Sequence, residues 1–374
     1  KDMDFTILTE FLEKYPKRYD IPFYGLIIHK NGKEIYNRKF GFLDITKTVP
    51  IKGDERYFVY SCSKIVTCVA ALTLMEKGKY HLDDPVGLYL PEFKNMSVKT
   101  PDGSVKANSP VTVRNLFTMT SGMDYDYNAP EIRSAIKQNK NISTAEMMQI
   151  FAKRPLVAQP DEKFIYGFSH DVLARLIEVW SGMRFSDYVE EEIFKPLGMR
   201  SSTFKYRKVK DSVAPLYKYN YETRQSELYT GGNFYIFSDN YESGGAGLIS
   251  TSDDYLKFLD ALIDGRLISK YTLKMMTTNQ LNDEQMVDAK NWWVFRGFGY
   301  GFGVKVHTDK STSDNNAPLG VFGWSGAAGS MPIVDLKNGI TIFYTQHMLY
   351  DNQGEFESRL LNVIYSCLGD EVDL

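Results

Sequence analysis

The stretch YFVYSCSKIVTCVAALTLMEKGKY, residues 57–80, sets two hydroxyls and a lysine ahead of an apolar run. Ser61 and Lys64 are three residues apart and so share a face if the run is helical. A serine hydroxyl is a weak nucleophile until a base takes its proton. A lysine amine is such a base once burial or a nearby cation pulls its pKa well below the ordinary ~10.4. The free N–H groups of a helix N-terminus would also face a developing oxyanion. The chemistry this spacing allows is therefore attack on a carbonyl. A plainer reading makes Ser61 a helix cap and Lys64 a solvated charge of the first turn. The chain also holds a second S-x-x-K, Ser134 to Lys137, in the polar APEIRSAIKQNKNIS. Context separates the two copies, because Ser61 follows the β-like RYFVY and enters a long apolar helix.

Two further segments carry groups of the right kind. In EKFIYGFSHDVLARLIEVWSG, Tyr166 stands just before a helix. A phenolate is favoured beside a lysine ammonium, so Tyr166 is a candidate base or proton shuttle; otherwise it is one of 25 tyrosines packing in a core. In FGWSGAAGSMPIV, small residues lead into a strand, where backbone N–H groups could approach a bound carbonyl; the plainer reading is a tight turn.

These segments need a scaffold. Phe5, Leu8, Phe11 and Leu12 predict an amphipathic opening helix. Asn31-Gly32 and Asn338-Gly339 each sit between apolar runs and predict β-hairpins near the two chain ends. Between them helical spacing dominates: Ile65, Val69, Leu72 and Met75, then HDVLARLIEVWSG, FSDYVEEEIFKPLG and TSDDYLKFLDALIDG, each ending at Gly, the last with Ser252 as N-cap. EFESRLLNVIYSCLG supplies a terminal helix. The expected fold is α+β, of the α/β sandwich type: an antiparallel sheet from both chain ends flanked by the terminal helices, with a mostly helical subdomain inserted. The expected parts are residues 1–60 plus 285–374 and residues 61–284, within one catalytic domain.

Composition narrows the partners. A net charge of -3 gives no footprint for nucleic acid or an anionic membrane. No run reaches the ~18 apolar residues of a membrane span. No signal-peptide core is visible, so a cytoplasmic location is expected, with a secreted or periplasmic one open if a signal was removed ahead of Lys1. Cys62, Cys68 and Cys367 are expected to be free thiols. His29, His81, His170, His307 and His347 are scattered, with no H-E-x-x-H and no C-x-x-C, so neither a metal site nor a cofactor is expected; His170 reads as a surface residue at a helix start. GFGYGFG, residues 297–303, reads as a Gly-rich strand, since no helix pattern follows it.

Taken in order, the three segments resemble the serine β-lactamase and penicillin-binding-protein superfamily. The similarity is to the class C β-lactamase-like branch, which includes family VIII carboxylesterases, D-aminopeptidases and acyl transferases. VTVRNLFTMTSGMDY, IFKPLGM and GGAGLISTSDDYLKF add to it, and it covers nearly the whole chain. The resemblance implies Ser61 as acylated nucleophile, Lys64 as its partner, Tyr166 as the second-motif tyrosine and Trp324-Ser325-Gly326 as the third motif. It implies an oxyanion hole from the backbone N–H groups of Ser61 and Ala327, and a two-step acyl transfer to water.

Departures from the pattern refine the substrate. Phe168 replaces the second-motif Asn, and Trp324 replaces the lysine of K-T-G. The amide clamp and the cationic anchor for a carboxylate are both gone, so an uncharged ester or acyl chain is favoured over an anionic β-lactam. Met119 stands where many relatives have His and reads as scaffold variation. Tyr125, Tyr127, Phe168 and Trp324 are candidates to line an acyl pocket, as are Trp292 and Trp293. The leading expectation is a serine hydrolase of small-molecule esters or acyl groups. A β-lactamase or D-alanyl/D-amino-acid peptidase is the alternative enzyme, and a non-catalytic penicillin-recognising or scaffold protein the alternative of another class. The oligomeric state is not legible.

Overall fold

Asn31 and Gly32 both adopt positive φ, 51° and 75°, and close a two-residue turn between strands Phe23–Lys30 and Lys33–Gly41. This is the outer hairpin of a seven-stranded antiparallel sheet in the computed structural model, which describes residues 1–292, 295–351 and 353–369. The strand order is Lys33–Gly41, Phe23–Lys30, Ile340–Gln346, Met331–Asp335, Phe322–Gly323, Lys305–His307, Phe298–Tyr300. Strands from the two chain ends lie side by side, with Tyr24 opposite Gln346 and Lys30 opposite Ile340.

Alternation along each strand divides the apolar residues between two faces. Leu26, Ile28, Ile342 and Tyr344 pack with Leu8 and Leu12 of the opening helix Thr6–Lys14 and with Leu360 and Ile364 of the closing helix Gln353–Cys367. On the other face, Phe343 stacks on Tyr255 of helix Ser252–Ile263 at 4.7 Å between ring centres. That core runs unbroken from Val334 and Phe343 of the sheet to Phe117, Met147 and Leu173 in the helical region.

Several details differ from expectation. The second hairpin forms around a longer loop, because Gly339 has positive φ and Asn338 does not; Asn338 instead bonds back to the Asp335 carboxylate. The cap of helix Ser252–Ile263 is Thr251, whose hydroxyl accepts from Asp254 N–H, and Ser252 is the first helical residue. FSDYVEEEIFKPLG is broken by a π turn at Glu190–Phe194. The helical region also carries the small hairpins Ser97–Thr100/Gly103–Lys106 and Tyr217–Asn220/Gln225–Leu228.

Candidate active site

The short strand Tyr57–Phe58 leads into a 3-10 turn, Tyr60–Cys62, and then into helix Ser63–Glu76. Tyr60 takes a left-handed φ of 44°, which costs a residue with a Cβ about 1–2 kcal/mol. Burial of its ring against Phe234 and Tyr235 holds it there. Every residue from Ser63 to Leu74 is buried, so this is a core helix covered on all sides rather than a surface helix with one stripe. Neither plain reading of the motif holds. No side chain caps the helix, and Lys64 is 0 % exposed.

Lys64 Nζ lies 3.3 Å from Ser61 Oγ, 3.2 Å from Tyr125 Oη and 2.8 Å from the Gly245 carbonyl to which it donates. Burial pulls its ammonium down to about 7, against the opposing charge of Asp171. On the other side of the serine, Tyr166 Oη donates to Ser61 Oγ at 2.6 Å and accepts from Trp324 Nε1 at 3.2 Å. Burial outweighs both hydrogen bonds and raises the Tyr166 phenol above its usual range. The sequence argument took the lysine charge as the dominant influence on this phenol. Desolvation dominates instead, and the resting group is the protonated phenol.

Third-motif residues approach from the sheet. Gly326 packs so close to the Val59 carbonyl that a Cβ would stand 2.4 Å from it, which brings Ala327 beside the turn that carries Ser61 and into contact with the cluster around Tyr60. Trp324 is 4 % exposed; it supports the Tyr166 hydroxyl and offers little surface to a ligand, unlike the acyl contact first expected. Ser325 is half-buried beside it.

The pocket candidates divide. Tyr125 faces the lysine, and the Tyr127 ring lies tilted against Phe234 and edge-on to Tyr235, at 4.7 and 5.2 Å between ring centres. Phe168 is 1 % exposed and lies behind Tyr125, stacked on Phe151, so it is core and not lining. Trp292 is partly exposed with its ring 5.0 Å from that of Tyr166, and Trp293 lies outside the described residues. His170, expected at the surface, is fully buried; burial drops its imidazole to about 3, and Nε2 is 3.2 Å from the Phe117 carbonyl. Met119 contributes backbone, its carbonyl accepting from Ile165 N–H just ahead of Tyr166. The second S-x-x-K lies on the outer face of helix Pro130–Gln138, with Ser134 and Lys137 exposed.

Four participants escaped the sequence reading: Asp171, Gly245, Phe234 and Tyr235. Gly244-Gly245 was the available signal. A Cβ on Gly244 would meet the His170 carbonyl at 2.5 Å, and one on Gly245 would crowd Tyr125, Asp171 and Lys64 at 3.1–3.3 Å. Only glycines let this segment pass between helices Ser63–Glu76 and Ser169–Ser181.

The pattern of the Beta-lactamase family matches residues 8–363, and the chain belongs to that family. Among its relatives, Protein Rv1367c of Mycobacterium tuberculosis is 27% identical over 343 residues, 86% of this chain and 84% of its own. Esterase EstB of Burkholderia gladioli is 26% identical over 365 residues, 91% of this chain and 90% of its own. The fold matches that of EstCE1, described as a hydrolase with promiscuous acyltransferase activity, with a TM-score of 0.82 and 23% identity over 96% of this chain and 97% of that one. Esterases and acyltransferases are thus among its relatives. No described helix is long and apolar enough to cross a membrane.

Proposed function

We propose that the protein is a serine hydrolase that forms an acyl-Ser61 intermediate and acts on carboxylic esters of small molecules, passing the acyl group to water or to an alcohol. The observation that carries this reading is the placement of Ser61 Oγ between a protonated phenol at 2.6 Å and a buried amine at 3.3 Å that titrates near neutrality.

The groups form a directed chain. Trp324 N–H donates to Tyr166 Oη, and Tyr166 O–H donates to Ser61 Oγ. With Lys64 neutral, the serine hydroxyl can in turn donate to Nζ. As Oγ attacks the ester carbonyl its proton passes to Lys64, and the oxyanion is met by the N–H groups of Ser61 and Ala327. Tyr166 is then the donor beside the departing alkoxide; loss of the alcohol leaves acyl-Ser61. In the second half Lys64, neutral again once its proton has left with the alcohol through Tyr166, accepts the proton of the incoming water or alcohol as that adds to the acyl carbon; the acyl–Oγ bond then breaks and the proton passes to Oγ through Tyr166, which frees the serine. Tyr127, Phe234, Tyr235 and Trp292 lie around Tyr125 and Tyr166 as an aromatic surround, which suits an uncharged acyl chain.

The test is intact-mass spectrometry after incubation with a fluorophosphonate, with p-nitrophenyl butyrate turnover measured in parallel. A single adduct and turnover, both lost in Ser61→Ala, are expected. A wild-type protein that takes no adduct and turns over no ester overturns the reading in favour of a non-catalytic member of the family.

A further inference from the structure

Beneath the lysine lies a carboxylate that the proposed chemistry has not yet used. Asp171, in the first turn of helix Ser169–Ser181, is 0 % exposed. Its Oδ1 accepts from Ser243 Oγ and from Gly245 N–H, each at 2.7 Å. Oδ2 makes no hydrogen bond of ordinary geometry among the described residues, although the buried Tyr241 phenol interacts with the carboxylate. Gly245 thus donates to Asp171 with its N–H and accepts from the Lys64 amine with its carbonyl, at 2.8 Å. A carboxylate withdrawn from water and held by two donors needs a reason, since burial without a charge partner is strongly unfavourable.

Resting on the acyl-serine reading, we propose that Asp171, which touches no reacting atom, is a positioning residue: by fixing the backbone of Gly245 it holds Lys64 against Ser61, and it supplies the negative charge opposite the ammonium that forms when Ser61 gives up its proton. The groups that face Lys64 are the phenols of Tyr125 and Tyr166, the thiols of Cys62 and Cys68, the His170 imidazole and Asp171. Burial holds both thiols up, as neutral groups, and the imidazole down, also neutral. Burial raises the Asp171 carboxyl too, against the Gly245 N–H, the Ser243 hydroxyl and the Lys64 charge, all of which favour the carboxylate; as the one acid in this set it is the group left to carry the countercharge. The proton balance is closed: the serine proton resides on Nζ while the acyl–Oγ bond forms, and it leaves with the alcohol through Tyr166.

The experiment compares pH profiles of ester hydrolysis and fluorophosphonate labelling in wild type, Asp171→Asn, Asp171→Ser and Asp171→Glu, with melting curves for each. Removing the negative charge makes the lysine easier to deprotonate. In Asp171→Asn the acid limb of kcat/KM is expected to move down by about one pH unit or more, while the plateau falls by roughly 10-fold to 100-fold because the forming ammonium has lost its countercharge. Asp171→Glu, which keeps the charge, should return the limb toward wild type. Asp171→Ser carries the same test if the Asn variant does not fold. An unmoved limb in a folded neutral variant, whatever its plateau, overturns the proposal and leaves Asp171 a packing group. Absence of a Ser61 adduct on the wild type would instead overturn the acyl-serine reading itself.

Discussion

Gly326 and Val59 meet where the sheet touches the turn that carries Ser61, and the contact leaves no space for a methyl group: a Cβ on Gly326 would lie 2.4 Å from the Val59 carbonyl oxygen. Both partners are backbone, so neither can swing aside. The relative position of Ala327 and Ser61 is set by this packing.

Gly326→Ala is accordingly expected to separate the two proposed oxyanion donors. Overpacking of this kind destabilises by about 1–3 kcal/mol, and loss of one donor lowers kcat by roughly 10²-fold or more. Thermal melting and steady-state kinetics of the variant check both numbers. A variant with reduced stability but wild-type kcat would show that Ala327 N–H takes no part in the reaction.

Tyr166→Phe removes the hydroxyl between Ser61 and Trp324 while keeping the ring. Catalysis should drop by roughly 10²–10⁴-fold. Stability should fall by about 1–3 kcal/mol, because the Trp324 N–H, 4 % exposed as a residue, loses its acceptor. Adding Trp324→Phe should then change the rate little further, since the indole acts on the serine through the phenol it no longer meets. Equal and independent losses in the two single variants would count against the directed chain.

The amine of Lys64, drawn down to about 7, gives the rate a pH dependence of definite sign. If the neutral amine accepts the serine proton, kcat/KM rises as pH passes through about 7 and reaches a plateau on the alkaline side. A profile flat from pH 5 to 9 in a buffer of constant ionic strength would exclude Lys64 as that acceptor.

The same shift predicts a slope in stability. Below about 7 the folded and unfolded states both hold the proton, and the folded state bears the full cost of a buried ammonium. Between about 7 and the ~10.4 of an unfolded lysine the unfolded chain binds more protons, so this group makes unfolding harder as pH rises. Denaturant midpoints of wild type minus those of Lys64→Met, measured at several pH values across that window, should climb with pH. A flat difference would mean that the amine keeps its ordinary affinity for protons.

How far the sequence reaches is clearest at the level of single residues. Ser61, Lys64 and Tyr166 were singled out by residue type and context, and the resemblance gave them, with Trp324, their expected roles; the structure brings the four side chains together. Asp171 was not, since an acid in the first turn of a helix reads as a complement to the helix dipole; only the third dimension turns it inward. Phe168 misled for a related reason: two residues beyond Tyr166, it was expected to share the pocket, but the backbone carries it behind Tyr125 into the core. His170, polar and near a helix start, gave no sign of the burial that neighbouring helices impose on it. The hairpin at Asn31-Gly32 was fixed by local φ preferences, whereas the turn at Asn338-Gly339 was reshaped by a side-chain bond to Asp335 that no dipeptide rule contains.

One consequence of the sheet's construction reaches beyond chemistry. Its Phe23–Lys30 strand from the beginning of the chain pairs with Ile340–Gln346 from near the end, and the segment bearing Trp324 and Gly326 joins the strands beside that seam. The turn that carries Ser61 therefore receives Tyr166 from the helical region but depends on the closing part of the chain for Trp324, which meets that phenol, and for Gly326, which packs on Val59. On the acyl-serine proposal, activity would then report on completed synthesis: a chain stopped ahead of the strand Phe322–Gly323 keeps Ser61, Lys64 and Tyr166 yet lacks the indole beside the phenol and the second proposed oxyanion donor.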